Sequence, residues 1–273
     1  MNKIIDFVID ILIAVKYALG TFIVKISGRK KESQEILNSL HNKYKGQRCF
    51  ILGNGPSLTP EDLNLLKDEV TFASNRIYNI FSKTDWRPTY FAMFDENVAE
   101  GEGVAQGVSG MDCIKFVREQ GYLSYKNIDG QLCFVHSIHE RSLLDNPKFS
   151  EDLLSNGIYT IATVTYSIIQ IARWMGFSEM YLLGMDNRYK FSELRDGTIV
   201  RNENVLDYFG EEVKKEPLPS HAIATWEMDV AYEYADKYSR EHGFRIYNAT
   251  RGGFLEKFER VNLDEILKKG TEK

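Results

Sequence analysis

Residues 48–58 read RCFILGNGPSL, from Arg48 to Leu58: a short apolar run that stops at a glycine-rich turn. The run has no helical period and ends at Gly53, so it reads as a buried first strand. Thr59, Pro60 and Asp62 then mark a helix start: Thr at the cap, Pro at the first helical position and an acid three residues after the cap, close to a capping box. The glycines of the turn let backbone approach a ligand closely, and its N–H groups suit a phosphate. It is neither a Walker loop nor GxGxxG, because GxxxxGK[ST] is absent and Leu58 holds the third glycine position.

Working outward, further strands are expected over 70–74, 89–95, 131–137, 179–185 and 244–249. Long helices are expected over 160–175, stopped by Gly176, and 226–242, stopped by Gly243. Strands alternating with helices imply a mostly parallel sheet covered on both faces, a Rossmann-like three-layer α/β/α sandwich. The chain shows neither an internal repeat nor a low-complexity tract.

At 273 residues and 43% hydrophobic, the chain can bury one sizeable core. The expected organisation is a catalytic domain over 44–273 preceded by an appendage, 1–43, made of a hydrophobic helix and a polar linker. Thirty-four basic against 39 acidic residues, net −5, leave no footprint for a nucleic-acid backbone. Cys49, Cys113 and Cys133 are odd in number and lack CxxC spacing, which reads as reduced, buried thiols.

Residues 1–27 are the compositional anomaly. Asp6, Asp10 and Lys16 interrupt their aliphatic run, so no uncharged stretch approaches the ~20 residues of a spanning helix. The single Lys3 and the two aspartates also fit a secretory signal poorly. Lys3, Asp6 and Asp10 share one polar stripe at helical spacing, as in a helix lying in a membrane plane or packed on a partner. Arg29, Lys30 and Lys31 follow, where anionic lipid would attract them. The expected location is the cytoplasm, with peripheral contact at the inner face of the cell membrane; the competing role for the helix is oligomerisation or packing against the domain.

In open α/β sheets ligands sit beyond the carboxyl ends of the strands. The residues there are Gly53, Asn54, Gly55, Pro56 and Ser57 after the first strand, Asn75 and Arg76 after the second, Asp95, Glu96 and Asn97 after the third, and Asp186, Asn187 and Arg188 after a later one, and they are expected to converge on one crevice. Asn75 and Asp95 suit ribose hydroxyls or a base edge, although both are also ordinary turn residues. Asp186 has the added option of holding Mg²⁺ on a diphosphate, but no DxD motif accompanies it, so no metal or other cofactor is expected to be required. His221 lies in a proline-containing loop and is a natural general base for an acceptor hydroxyl; His136 and His139 are its rivals. The absence of GxSxG and HExxH argues against serine hydrolases and zinc peptidases.

Taken together, GNGPSL, SNRIY, YFAMFD, ARWMGFSEMYLLGMD and IYNATRGGFLEKFERV resemble the domain family named for the archaeal 6-hydroxymethylpterin diphosphokinase. They are also similar to segments of bacterial sialyltransferases of glycosyltransferase family 42 and of flagellin-modifying nonulosonate transferases. The resemblance covers residues 47–263 and implies a GT-A-like nucleotide-binding fold. It implies cytidine contacts for Asn54 and Asn75, and places Asp95 where those enzymes carry a further asparagine. A phosphate-donating hydroxyl falls at Thr163 or Thr165. Arg188, with Tyr189 beside it, stands where a tyrosine assists the departing phosphate, and His221 falls near the catalytic histidine.

The expected function is therefore a sialyltransferase-like glycosyltransferase that uses a CMP-activated donor and a surface-glycan acceptor. The alternatives are an Mg-ATP-dependent pyrophosphokinase acting on a pterin and a nucleotide-binding module without catalysis.

Overall fold

A computed structural model describes residues 3–209, 219 and 222–270, with side chains from Val8 on, apart from Asp10, and up to Lys268. The polar stripe expected of Lys3, Asp6 and Asp10 lies outside the described side chains. The sheet is built from β1 (Arg48–Leu52), β2 (Thr71–Ser74), β3 (Tyr90–Met93), β4 (Ile114–Arg118) and β5 (Leu132–Val135). Two short strands, β6 (Ser137–Ile138) and β7 (Ile158–Tyr159), pair with each other, as do β9 (Phe191–Glu193) and β10 (Ile199–Arg201). Strands β8 (Glu179–Leu183), β11 (Arg245–Asn248) and β12 (Glu259–Arg260) complete an eight-stranded sheet, every pair of it parallel, in the order β12-β11-β8-β1-β2-β3-β4-β5.

Side chains alternate between two cores because a strand has a period of two and both faces of this sheet are covered. Cys49, Ile51, Phe72, Phe116, Met180 and Leu182 enter one core. It is closed by α2 (Arg29–Leu40), α7 (Val164–Trp174) and α8 (Thr225–Glu241). Phe50, Leu52, Ala73, Val117, Tyr181 and Leu183 enter the other. That core is closed by α3 (Pro60–Leu65), α5 (Val104–Ser109) and α9 (Leu263–Gly270), with Val24 from α1 (Lys3–Ile26). Two one-turn helices, α4 (Glu96–Ala99) and α6 (Tyr122–Tyr125), follow β3 and β4. The architecture is the expected three-layer α/β/α sandwich.

Three local expectations change. The polar stretch 27–46, expected as a linker, contains α2, whose Leu37 and Leu40 are buried in the first core and whose Ser33 Oγ accepts the Phe134 amide of β5 at 2.8 Å. The helix expected from residue 160 begins at Val164. Ala162 has φ 50° and Thr163 is extended at φ −142°, with its hydroxyl accepting the Thr165 amide, so the helix is capped at Thr163. Strand β4 goes unread in the sequence because Lys115 and Arg118 interrupt its apolar run.

Candidate functional site

The strand order reverses direction between β1 and β8: β1 to β5 run one way along the sheet, and the chain then crosses back to place β8 on the other side of β1. At such a switch point the loops after the two neighbouring strands splay apart and leave a crevice. A crevice of about 520 Å³ opens there and continues past β2 and β3 to Arg118 at the end of β4. Four inter-strand spacings separate β8 from β4, giving a run of about 19 Å, enough for two substrates side by side.

The two loops at the switch are locked together. Asp186 accepts the Ser57 hydroxyl at 2.7 Å and the Ser57 amide at 3.3 Å. A methyl at Gly55 would collide with the Asp186 carboxylate, and one at Gly53 with the Gly184 carbonyl, so glycine at both positions permits the approach. Asp186 lines the crevice, yet one oxygen of its carboxylate is committed to the turn. Among the described residues no group of three or more His, Cys, Asp or Glu side chains could hold a metal ion.

Polar atoms around the crevice lack partners. Asn54 Nδ2 donates to the Ser74 carbonyl at 3.1 Å and Asn187 Nδ2 to Asp229 at 3.1 Å, while the Oδ1 atoms of Asn54, Asn75 and Asn187 are buried without a donor. Asn75 and Asn187 both lie in the left-handed region, at φ 52°. Together with Ala162, they place three of the chain's non-glycine positive-φ residues on the walls of one crevice, where strain of this kind accompanies ligand binding. Buried carbonyl oxygens are costly to leave unpaired, and a ligand carrying N–H and O–H donors relieves that cost.

The N-terminal end of α7 also faces the crevice, with Thr163, Val164 and Thr165 in its wall. Its amides and dipole favour an anion there. Thr163 Oγ1 lies 3.3 Å from the Tyr232 hydroxyl, and Thr165, buried, turns its hydroxyl to Met185 Sδ. Arg188 is exposed on the rim, stacked over Phe254 with 4.5 Å from Cζ to the ring centre. Burial pushes the Tyr189 hydroxyl well above its ordinary range, with nearby Tyr232 adding to the effect, so this phenol stays protonated as a hydrogen-bond donor.

Of the residues expected from sequence, Gly53, Asn54, Gly55, Asn75, Asp95, Thr163, Thr165, Asp186, Arg188 and Tyr189 line the crevice together. Pro56 is exposed and lies outside that lining, as does Ser57, which serves the Asp186 latch. Asp95 caps α4, accepting the amides of Asn97 and Val98. His221 lies outside the described residues; Ile223, two residues on, is in the crevice wall. His139 lines the crevice, whereas His136 does not and packs against Gln120 and Glu119 instead.

At the far end of the crevice the sequence points to Glu96 but not to Arg118 or Tyr17, which line it as well. Arg118 of β4 pairs with Glu96 at 3.3 Å, and its guanidinium lies 4.5 Å from the ring centre of Tyr17, which α1 contributes. The Tyr17 hydroxyl donates to Glu96 Oε2 at 3.1 Å. Asn187, expected with Asp186 and Arg188 at the end of its strand, lines the crevice with them. A second cavity, of about 320 Å³, lies by the amino ends of β3 and β4. Three of its polar side chains are satisfied within the protein: the Tyr44 and Tyr90 hydroxyls meet at 2.9 Å and Lys115 Nζ donates to the Met111 carbonyl at 2.6 Å.

Fold and crevice together define a parallel α/β protein with an open crevice at a topological switch point. Residues 27–191 match the family described as 6-hydroxymethylpterin diphosphokinase MptE-like, and the chain belongs to that family. No curated protein sequence matches the chain. Among solved structures, it is similar to the MAf glycosyltransferase from Magnetospirillum magneticum AMB-1, with a TM-score of 0.49 and 14% identity over 88% of this chain and 40% of that one. The chain thus spans about two fifths of the length of that enzyme.

Proposed function

We propose that the protein is a glycosyltransferase that takes a sugar from a CMP-activated donor and places it on a hydroxyl of a cell-surface glycan or glycoconjugate. The observation that carries this reading is the trio of buried, donor-less asparagine oxygens, Asn54, Asn75 and Asn187, beside the N-terminal end of α7. A nucleoside monophosphate supplies what that arrangement lacks. Ribose hydroxyls and the cytosine amino group donate to the carbonyls, and the phosphate meets the helix end.

In this mechanism the acceptor hydroxyl attacks the anomeric carbon, forming the new C–O bond as the bond to the CMP phosphate oxygen breaks. His221 takes the acceptor proton. Arg188 and the protonated Tyr189 donate to the phosphate as negative charge develops on it, and CMP leaves as the anion. A donor at the β1–β8 end leaves the Arg118 end for the acceptor, so the two substrates are held in line by the length of the crevice.

Thermal stabilisation by CMP, CDP, UDP, GDP and ATP, each with and without Mg²⁺, tests the assignment. Selective stabilisation by a cytidine nucleotide without metal is expected. The family description favours one second reading, an ATP-dependent pyrophosphokinase. Stabilisation by ATP only with Mg²⁺ would replace the transferase reading with that one.

A further inference from the structure

Helix α1 has two distinct faces. On the inner face Val24 is fully buried, and a methyl at Gly20 would collide with the Gln120 carbonyl, so the helix lies against the backbone that follows β4. Lys16 pairs with Glu100 at 2.9 Å, and Tyr17 joins Glu96 and Arg118 in the crevice wall. The outer face carries Val8, Leu12, Val15, Leu19, Phe22 and Ile26, all 45–65% exposed. Their alternating four- and three-residue spacing sets them in one stripe along the helix. The stripe is about 27 Å long, from 18 rises of 1.5 Å.

An apolar surface of this extent calls for a partner, and its flanks decide which one. A seam between paired helices is narrow and bordered by charged side chains. Here Ile11 flanks the stripe, while Ile9 and Ile13, also 42–46% exposed, lie on the side where Gly20 and Val24 later meet the domain, so the apolar surface of the first turns is wider than a seam. In its last turn and just past it the chain exposes Lys25, Arg29 and Lys31, which complement anionic headgroups but would repel their own kind in a parallel pair of copies. No single helix among the described residues is long and apolar enough to cross a membrane, and the inner face is already occupied by the domain. A helix held on one side and apolar on the other suits the plane of a bilayer.

We propose that α1 seats the protein on an anionic lipid surface with the stripe from Val8 to Ile26 in the acyl boundary, and that the same helix, through Tyr17, sets the Arg118–Glu96 end of the crevice beside the lipid. The seat stands on the helix alone and does not require the donor assignment above.

Flotation of the full chain with vesicles of phosphatidylglycerol and phosphatidylethanolamine, against phosphatidylcholine alone, tests the seat. Binding to the anionic vesicles is expected, weakened at high salt, and at least tenfold lower for the combined Leu12→Glu, Leu19→Glu and Phe22→Glu substitutions. Should that variant misfold by circular dichroism, Phe22→Trp serves instead: brominated acyl chains quench its added fluorescence if the outer face enters the bilayer. A wild-type chain that stays unbound, or an unquenched Trp in bound protein, overturns the proposal. So does a concentration-dependent dimer, seen by sedimentation without vesicle binding, that the triple substitution dissolves; that outcome makes a second copy the occupant. Nucleotide stabilisation measured on the same preparations keeps the tests apart, since lipid binding without cytidine selectivity would remove the donor reading and leave the seat.

Discussion

At the scale of single residues, the crevice is defined by what its asparagines lack. Asn54 and Asn75 each hold a buried carbonyl oxygen without a donor, and Asn75 does so at a positive φ that few other side chains tolerate. If these oxygens accept from a nucleotide, Asn54→Ala and Asn75→Ala should each weaken CMP binding about fivefold, the worth of a net hydrogen bond near 1 kcal/mol. Apo stability should also fall for Asn75→Ala, by about 1 kcal/mol, because alanine occupies the left-handed region less readily than asparagine. Isothermal titration with CMP, paired with urea unfolding of the apo protein, separates the two effects. Loss of apo stability with unchanged affinity would make these residues turn formers only. Their place was legible because a polar residue straight after an apolar run is a strand end in any parallel sheet. The donor-less oxygens were not, since hydrogen-bond satisfaction depends on residues far apart in sequence, as with Asn187 and Asp229.

At the scale of elements, α1 and α2 are adjacent in sequence but opposite in role. The α2 helix was read as linker because its composition is polar, with mean hydrophobic character concentrated in Ile36, Leu37 and Leu40. Those few positions suffice: Leu37 is 3% exposed, and its carbonyl accepts the Trp174 indole N–H at 2.8 Å, tying the helix to α7. The α1 helix is far more apolar, yet most of its large side chains face outward. Hydrophobicity along the sequence therefore ranks the two helices in the wrong order for stability. Leu37→Ala should cost about 2–5 kcal/mol in urea unfolding, through lost transfer energy and a cavity. Leu12→Ala, at 62% exposure, should stay within about 0.5 kcal/mol of wild type. Equal effects at the two sites would contradict the assignment of α2 to the core. The strands tell the same story from the other side: β1, β2, β3, β5, β8 and β11 were legible as short, largely apolar runs, whereas β4 hid behind Lys115, whose ammonium is buried against the Met111 carbonyl.

For the whole molecule, several phenols lie in the two cores or packed against them. Tyr90, Tyr125, Tyr166, Tyr181, Tyr189 and Tyr232 all have hydroxyls whose ionisation is pushed upward, in each case chiefly by burial. The Tyr44 hydroxyl adds to the effect at Tyr90, and the Glu179 carboxylate does so at Tyr181. On unfolding these side chains regain an ordinary pKa near 10. Above that pH the unfolded chain sheds their protons while the folded chain keeps them, so the folded state binds more protons and stability falls as pH rises. Below about pH 10 this contribution is constant and the fold is not challenged by it. Two observables should follow together. Tyrosinate absorbance of the native protein near pH 11 should fall short of the 15 tyrosines by at least these phenols, and the remainder should appear in a single step that coincides with loss of circular dichroism. A smooth titration of all tyrosines centred near pH 10 with the helix signal intact would mean that the phenols are wet. In that case the tight closure of both sheet faces, on which the shape of the crevice depends, would not hold in solution.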